Sequence, residues 1–401
     1  MGRTMRVLLL SAMLVGATAA TSAAQADDAP APDSAAGAAV VHDGYASVYT
    51  VDSANGHLQE TYLPKLGSPW VTQDLSAEFG TPTVLPGTTP VSLVHDGFTS
   101  VYTVDSANGH LQETYLPKLG SPWTTQDLSA NYGTPSTNWT PTAVVHDGYT
   151  SVYTVDSGSG YLQETYLPKL GDPWTTQSLS ASFGTPAILS GTSPVATVHG
   201  GYTSVYTVDA SHHLQETYLP ALGGPWHTQD LSANYGTPST SVTPTTVVHQ
   251  GYTSVYTADD GSRHLQETYL PAIGDPWGTQ DLSANYGTPS VAPGTAPVAL
   301  YHSGYTSVYT VDQGSQHVQE TYLSAIGQSW GTQDFTAGYG TPATAETPVA
   351  LDHPDASGNQ WTSVYTINQA GNHLQETYLP AIGDAWTSQD LSAKFGTPAV
   401  R

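Results

Sequence analysis

From about residue 38 to Arg401 the chain alternates apolar and polar side chains with a period of two, in short runs punctuated by Gly, Pro, Asn and Asp. Such runs, rich in Val, Thr, Tyr and Trp, are the pattern of half-buried β-strands. Four of them recur in a fixed order. One copy reads as an apolar run ending in His (Val91 to His95), then Thr99 to Asp105, His110 to Leu116 and Trp123 to Ser129. Asp96-Gly97 and Asn108-Gly109 suit tight hairpins that need positive φ, and Gly120-Ser121-Pro122 separates the third run from the fourth. Helical periodicity is absent, and Pro and Gly would interrupt it.

The unit repeats seven times. A Leu/Val-Gln-Glu-Thr-Tyr-Leu element places its Glu at Glu60, Glu113, Glu164, Glu216, Glu267, Glu320 and Glu376, with Tyr two residues on at Tyr62, Tyr115, Tyr166, Tyr218, Tyr269, Tyr322 and Tyr378. A Trp follows each time, at Trp70, Trp123, Trp174, Trp226, Trp277, Trp330 and Trp386. A period of roughly 50 residues is the size of one propeller blade. Seven copies of four antiparallel strands predict an all-β fold, a seven-bladed β-propeller over residues 38–401, in which radial repetition leaves only short, protected edges. The sequence leaves open whether repeats 1 and 7 close by adjacency or by exchange of a terminal strand.

A second period overlies the first. Linkers alternate between a Gly-Thr form (Leu85-Pro86-Gly87-Thr88, Leu189-Ser190-Gly191-Thr192, Ala292-Pro293-Gly294-Thr295) and a shorter one (Ser136 to Trp139, Ser239 to Val242). The duplicated unit is read as a pair of blades. The seventh repeat departs from the rest, with five extra residues between His353 and Tyr365, a loop at 354–359, and Trp361 where the others have Tyr or Phe.

The N-terminus adds a secretory leader. Arg3 and Arg6 precede a small and apolar core, and Ala24-Gln25-Ala26 forms a cleavage site, so residues 1–26 are expected to be removed and 27–37 to form a flexible Pro/Ala/Ser-rich linker. The apolar core falls short of the ~20 residues a spanning helix needs, so no membrane insertion is expected. The chain has no Cys, and burial and closure must hold the fold without disulfides. Its formal charge is −25, and loss of the two leader arginines leaves −27, a field that opposes nucleic acid and anionic membranes as partners.

The strand Tyr149 to Asp156, the element Leu162-Gln163-Glu164-Thr165-Tyr166, and Trp174 with its trailing Leu179 resemble the repeat plan of the PLL-type bacterial lectins. The resemblance implies a seven-bladed propeller whose first strands are innermost. It would then set His42, His95, His146, His199, His249, His302 and His353 in a ring near the central channel. These histidines are read either as caps of the adjacent turn or as a metal or anion ring, and seven symmetric ligands fit no common coordination geometry. A second His, at His57, His110, His213, His264, His317 and His373, gives way to Tyr161 in the third copy, so no function there requires imidazole in every blade.

The repeated Glu, Tyr and Trp are the candidate ligand-binding residues. Alternation puts Leu58, Glu60 and Tyr62 on one face of their strand. The Glu is read either as a buried carboxylate bonded to a backbone amide or a Tyr hydroxyl of the next blade, or as an acceptor for sugar hydroxyls beside an aromatic face. The Trp either fills a blade core or lines a cleft, and the varied residue after it (Val71, Thr124, His227, Gly278, Gly331) marks exposure beside it.

Three functions follow. Near-identical copies, such as Ser47 to Trp70 against Ser100 to Trp123 over 24 positions, favour a secreted multivalent lectin with sites in the grooves between blades and with glycans or glycoconjugates as partners. An extracellular protein-binding scaffold is the alternative, with a propeller glycosidase behind it, since catalysis needs two differently tuned carboxylates in one asymmetric site. No catalytic residue, cofactor or metal site is assigned.

Overall fold

The computed structural model describes residues 38–65, 67–354 and 360–401. The expected leader 1–26, the linker 27–37 and residues 355–359 of the expected loop lie outside the described residues.

Each repeat folds into its own four-stranded antiparallel sheet, and seven such sheets form a seven-bladed propeller. In blade 1 the strands are β1 (Ala38–His42), β2 (Tyr45–Val51), β3 (Leu58–Leu63) and β4 (Val71–Asp74), paired in sequence order. The first strands of successive blades pack against one another around the axis, the seventh against the first. The first turn adopts the predicted geometry, with φ 48° at Asp96 and 79° at Gly97.

Register fixes what each face does. Tyr49 lies opposite Glu60, and Glu60 opposite Gln73. The face carrying His42, Tyr45, Tyr49, Glu60 and Tyr62 looks toward the next blade, and the face carrying Ala46, Val48 and Leu63 toward the preceding one. The core is therefore seven apolar clusters, each straddling a boundary. Tyr49, Val51, Leu58 and Leu75 of blade 1, for example, pack with Val101, Leu116 and Trp123 of blade 2.

The fourth strand is shorter than expected and runs into a one-turn helix that the absence of helical periodicity had argued against. In blade 1 this is α1 (Leu75–Phe79). Asp74 caps it by accepting from the Ala77 amide at 2.8 Å, and Gly80 ends it at φ 75°. Asp74 also takes His57 Nδ1 at 2.8 Å. The third blade lacks both partners, with Tyr161 for the His and Ser178 for the Asp.

Past each helix, a Gly-Thr-Pro segment clasps the next blade. Thr81 Oγ1 lies 3.1 Å from the hydroxyls of both Thr114 and Thr125. Closure uses the same parts. Thr397 bonds Thr61 and Thr72 of blade 1, and Val400 bridges Asn372 O and blade 1 as Val84 bridges Gly56 O and blade 2. Among the described residues no strand is exchanged, and repeats 1 and 7 meet by adjacency. The paired-blade period is also visible. Long-form linkers donate a backbone N–H to a Thr in the following short one, from Thr89 to Thr140, Ser193 to Thr243 and Ala296 to Thr347.

Candidate functional site

The repeated Glu sits beneath the surface. Glu60, Glu113, Glu164, Glu216, Glu267, Glu320 and Glu376 are 2–5% exposed. Glu60 Oε1 accepts from Ser47 at 2.7 Å and from the Tyr49 hydroxyl at 3.2 Å, while the Gln73 amide donates to Oε2. Partners had been expected in the next blade, but they come from neighbouring strands of the same sheet. The register puts Tyr49 and Gln73 directly opposite Glu60, within easier reach than the next sheet. Desolvation raises the pKa of each Glu, and the hydrogen bonds to its charged form pull it back.

The seven histidines extend this network. In blades 1, 2, 4, 5, 6 and 7 the His Nε2 lies 2.9–3.4 Å from the Ser that serves the Glu, so one chain of hydrogen bonds crosses all four strands: His42, Ser47, Glu60, Gln73. They are buried on the inter-blade face, and the turn-cap and metal-ring readings both give way to this role. His146 also keeps a contact with the turn, 3.4 Å from Asp147, and its Nδ1 meets Thr203 of the next blade. Burial lowers the pKa of His42 and His95, and takes His199, His249, His302 and His353 to about 4.

The repeated Trp residues, 5–8% exposed, fill the seams between blades. Trp123 meets Tyr49 of the preceding blade edge-on at 6.1 Å, and Trp70, Trp174, Trp226, Trp277 and Trp330 make the same contact. Trp386 instead packs at 4.5 Å on Phe335, which replaces Leu at the start of the sixth helix.

Of the three predicted residues, only the Tyr reaches the surface. Tyr62, Tyr115, Tyr166, Tyr218, Tyr269, Tyr322 and Tyr378 are half-buried beside their strand-four neighbours. In every blade but the fifth the Tyr belongs to a ring pair that sequence reasoning did not assemble, because its partner lies in the adjacent strand: Tyr45, Phe98, Tyr149, Tyr202, Tyr305 or Trp361. Centroids are 5.9–6.3 Å apart in blades 1 to 4, and 4.9 Å at 17° for Trp361 and Tyr378. This aromatic shelf looks toward the next blade, whose third loop supplies an aliphatic side chain, Leu119, Leu222, Ile273 or Ile326, at the seam. Leu119 packs on the blade 1–2 cluster, and a Cβ at Gly200 would come within 2.9 Å of Ile273 Cγ1. An apolar ring face, phenol hydroxyls and an aliphatic wall can take a small ligand that is apolar on one side and hydroxylated on the other.

The grooves are not identical. Strand four begins with Val71, Thr124, Thr175, His227, Gly278, Gly331 and Thr387. His227 stacks on Tyr218 at 5.4 Å and prolongs the shelf. In blades 5 and 6 the Tyr lies over the glycine, so that a Cβ at Gly278 would come within 2.7 Å of the Tyr269 ring. Gly278→Thr is therefore expected to push Tyr269 back toward Tyr252, as a crystal structure of the variant would show; an unmoved ring would mean that strand four does not set its position.

Elsewhere, a cavity of about 620 Å³ opens where the linkers converge, lined by Thr88, Glu346, Thr347, Asn368, Gln369 and Arg401 among others. Asp209, His213 and Asp230 bring ligand atoms within 4.8 Å of one another, yet these atoms already serve Gln215, the helix cap and each other.

No protein-family model and no curated protein matches the chain. Among solved structures, it is similar to a triple arginine-to-alanine variant of AofleA from Arthrobotrys oligospora, at 14% identity and TM-score 0.51, covering 89% of this chain and 86% of that one. It is also similar to the six-bladed, fucose-recognising Aleuria aurantia lectin, at 17% identity and TM-score 0.45 over 77% and 95%. A third similarity, to a prolyl endopeptidase, has 10% identity and TM-score 0.53 over 88% of this chain and 49% of that one. At these identities the likeness is one of fold.

Proposed function

We propose that the protein is a secreted, multivalent carbohydrate-binding protein of the PLL-like propeller type, with its sites in the grooves between blades. The observation that carries this reading is the aromatic shelf, a pair of half-exposed rings repeated in six of the seven blades on one side of the groove. A pyranose presents an apolar face to such rings and hydroxyls to the phenols. In this reading the Tyr of each predicted trio makes the contact, the Glu fixes the strand beneath it and the Trp fixes the seam. Repeated weak sites on one rigid ring give avidity that no single groove supplies. The enclosure of every repeated Glu argues against a glycosidase, whose carboxylates must reach the scissile bond.

The test is a titration of the mature protein with monosaccharides, fucose included, after a glycan array has chosen among them. Tyr115→Ala is expected to weaken one site by about 1 kcal/mol, the scale of an aromatic contact, so that one of the sites fills at several-fold higher sugar while the fold stays intact. No binding to any glycan by folded protein would overturn the reading in favour of an extracellular protein-binding scaffold.

A further inference from the structure

We propose that the groove between blades 6 and 7 is a separate site for a cationic amine, held by Asp352, and that the sugar class it fits is an amino sugar with a free ammonium group. The amino-sugar assignment rests on the lectin reading; the amine site itself does not.

Asp352 breaks a repeated pattern. The corresponding position in the first strand is Val41, Val94, Val145, Val198 and Val248 in blades 1 to 5, and Tyr301 in blade 6. That position faces the preceding blade: Tyr301 approaches His249 of blade 5 at 6.2 Å. Asp352 thus brings a half-buried carboxylate to a seam that is aliphatic in five other blades. Among the described residues it has no Lys or Arg partner, since every ion pair there is between His and Asp.

Hydrogen counting shows what the carboxylate lacks. Thr362 Oγ1 lies 3.2 Å from Asp352 Oδ1 and 2.9 Å from His302 Nδ1. His302 Nε2 lies 2.9 Å from Ser307 Oγ, and on the pattern of the other blades, where for example Ser254 gives its proton to Glu267 at 2.7 Å, Ser307 gives its own to Glu320. Nε2 must therefore carry the imidazole proton, and Nδ1 of the neutral ring is an acceptor. The single Thr362 proton then faces two acceptors, Nδ1 and Oδ1, and one goes unserved. An ammonium group in the groove supplies the donors: its N–H groups bond Asp352, and the Thr362 proton stays with His302. The faces of Tyr305 and Tyr322 in the same groove suit a cation, and the acidic protein draws one in.

The groups around Asp352 are Thr362 on its own sheet, and His302 and Tyr309 on blade 6. Burial takes Asp352 up to about 6 and keeps His302 neutral at that pH. The cation needs the carboxylate, so binding strengthens as pH rises through that value and weakens about tenfold one unit below it.

The experiment titrates the mature protein with glucosamine, N-acetylglucosamine and methylammonium, at neutral pH and in mildly acid buffer, alongside Asp352→Val. Valine occupies this position in five other blades, and melting curves establish that the variant folds. Glucosamine and methylammonium are expected to fill one site that N-acetylglucosamine does not, lost in Asp352→Val and weakened in acid, while neutral sugars bind the variant as before. Equal binding of the amine and its acetylated form, or an unchanged Asp352→Val, would overturn the proposal. Amine binding that depends on Asp352, without any neutral-sugar binding, would uphold the site and sink the lectin reading; no binding of any probe would sink both.

Discussion

Acidification from neutrality towards pH 4 is expected to destabilise the propeller steeply, because buried imidazoles must charge. The folded-state pKa is lowered for His42 and His95 and is about 4 for His199, His249, His302 and His353, against an ordinary value of 6.5. Between those values the unfolded chain binds more protons than the folded one, so stability falls as pH drops through 6.5 and the loss is complete below about 4. At about 1.4 kcal/mol per pKa unit, each of the four costs roughly 3 kcal/mol. The buried Glu residues act with the opposite sign, since their raised pKa values favour the folded state as pH falls toward 4.5. Their help ends there, and below 3.8 the helix-capping Asp residues, whose pKa values are lowered, add a further loss. Urea unfolding across this range checks the claim. A midpoint that holds steady or rises between pH 6.5 and 4.5 would mean that the Glu protons outweigh the imidazoles.

Trp174→Ala is expected to cost about 3–5 kcal/mol, the range for truncating a buried aromatic to Ala. The indole is 6% exposed and meets Tyr102 edge-on at 6.4 Å across a seam, so its loss opens a cavity between two sheets that share no strand. The wall opposite is itself sheet and cannot collapse into the space. Thr175→Ala, on the exposed residue next to it, is the control and is expected to fall within about 0.5 kcal/mol. Equal effects in the two variants would remove the Trp from the seam's energetics.

Blade count, strand order and the first turn were legible because each depends on local pattern repeated seven times. The one-turn helices were missed although their signals were present: Asp74 before the helix and Gly80 after it are a cap at each end, and five residues are too few to show a period. A buried Glu60 was one of two readings, drawn from the propeller's two covered faces, but its partners were not legible, since which strand lies opposite is a matter of register. The shelf escaped for the same reason. Tyr45 and Tyr62 are 17 residues apart in the chain and become neighbours only when two strands pair. Asp352 was passed over because attention to repetition discards the position that does not repeat.

The absence of an exchanged strand has a consequence for how such a chain changes over generations. Where a terminus completes a blade, an inserted repeat separates that terminus from its partner strands. Here every repeat is a whole sheet, and the joint after Thr397 is made like the joint after Thr81. Unequal recombination between near-identical copies therefore adds or deletes a complete blade.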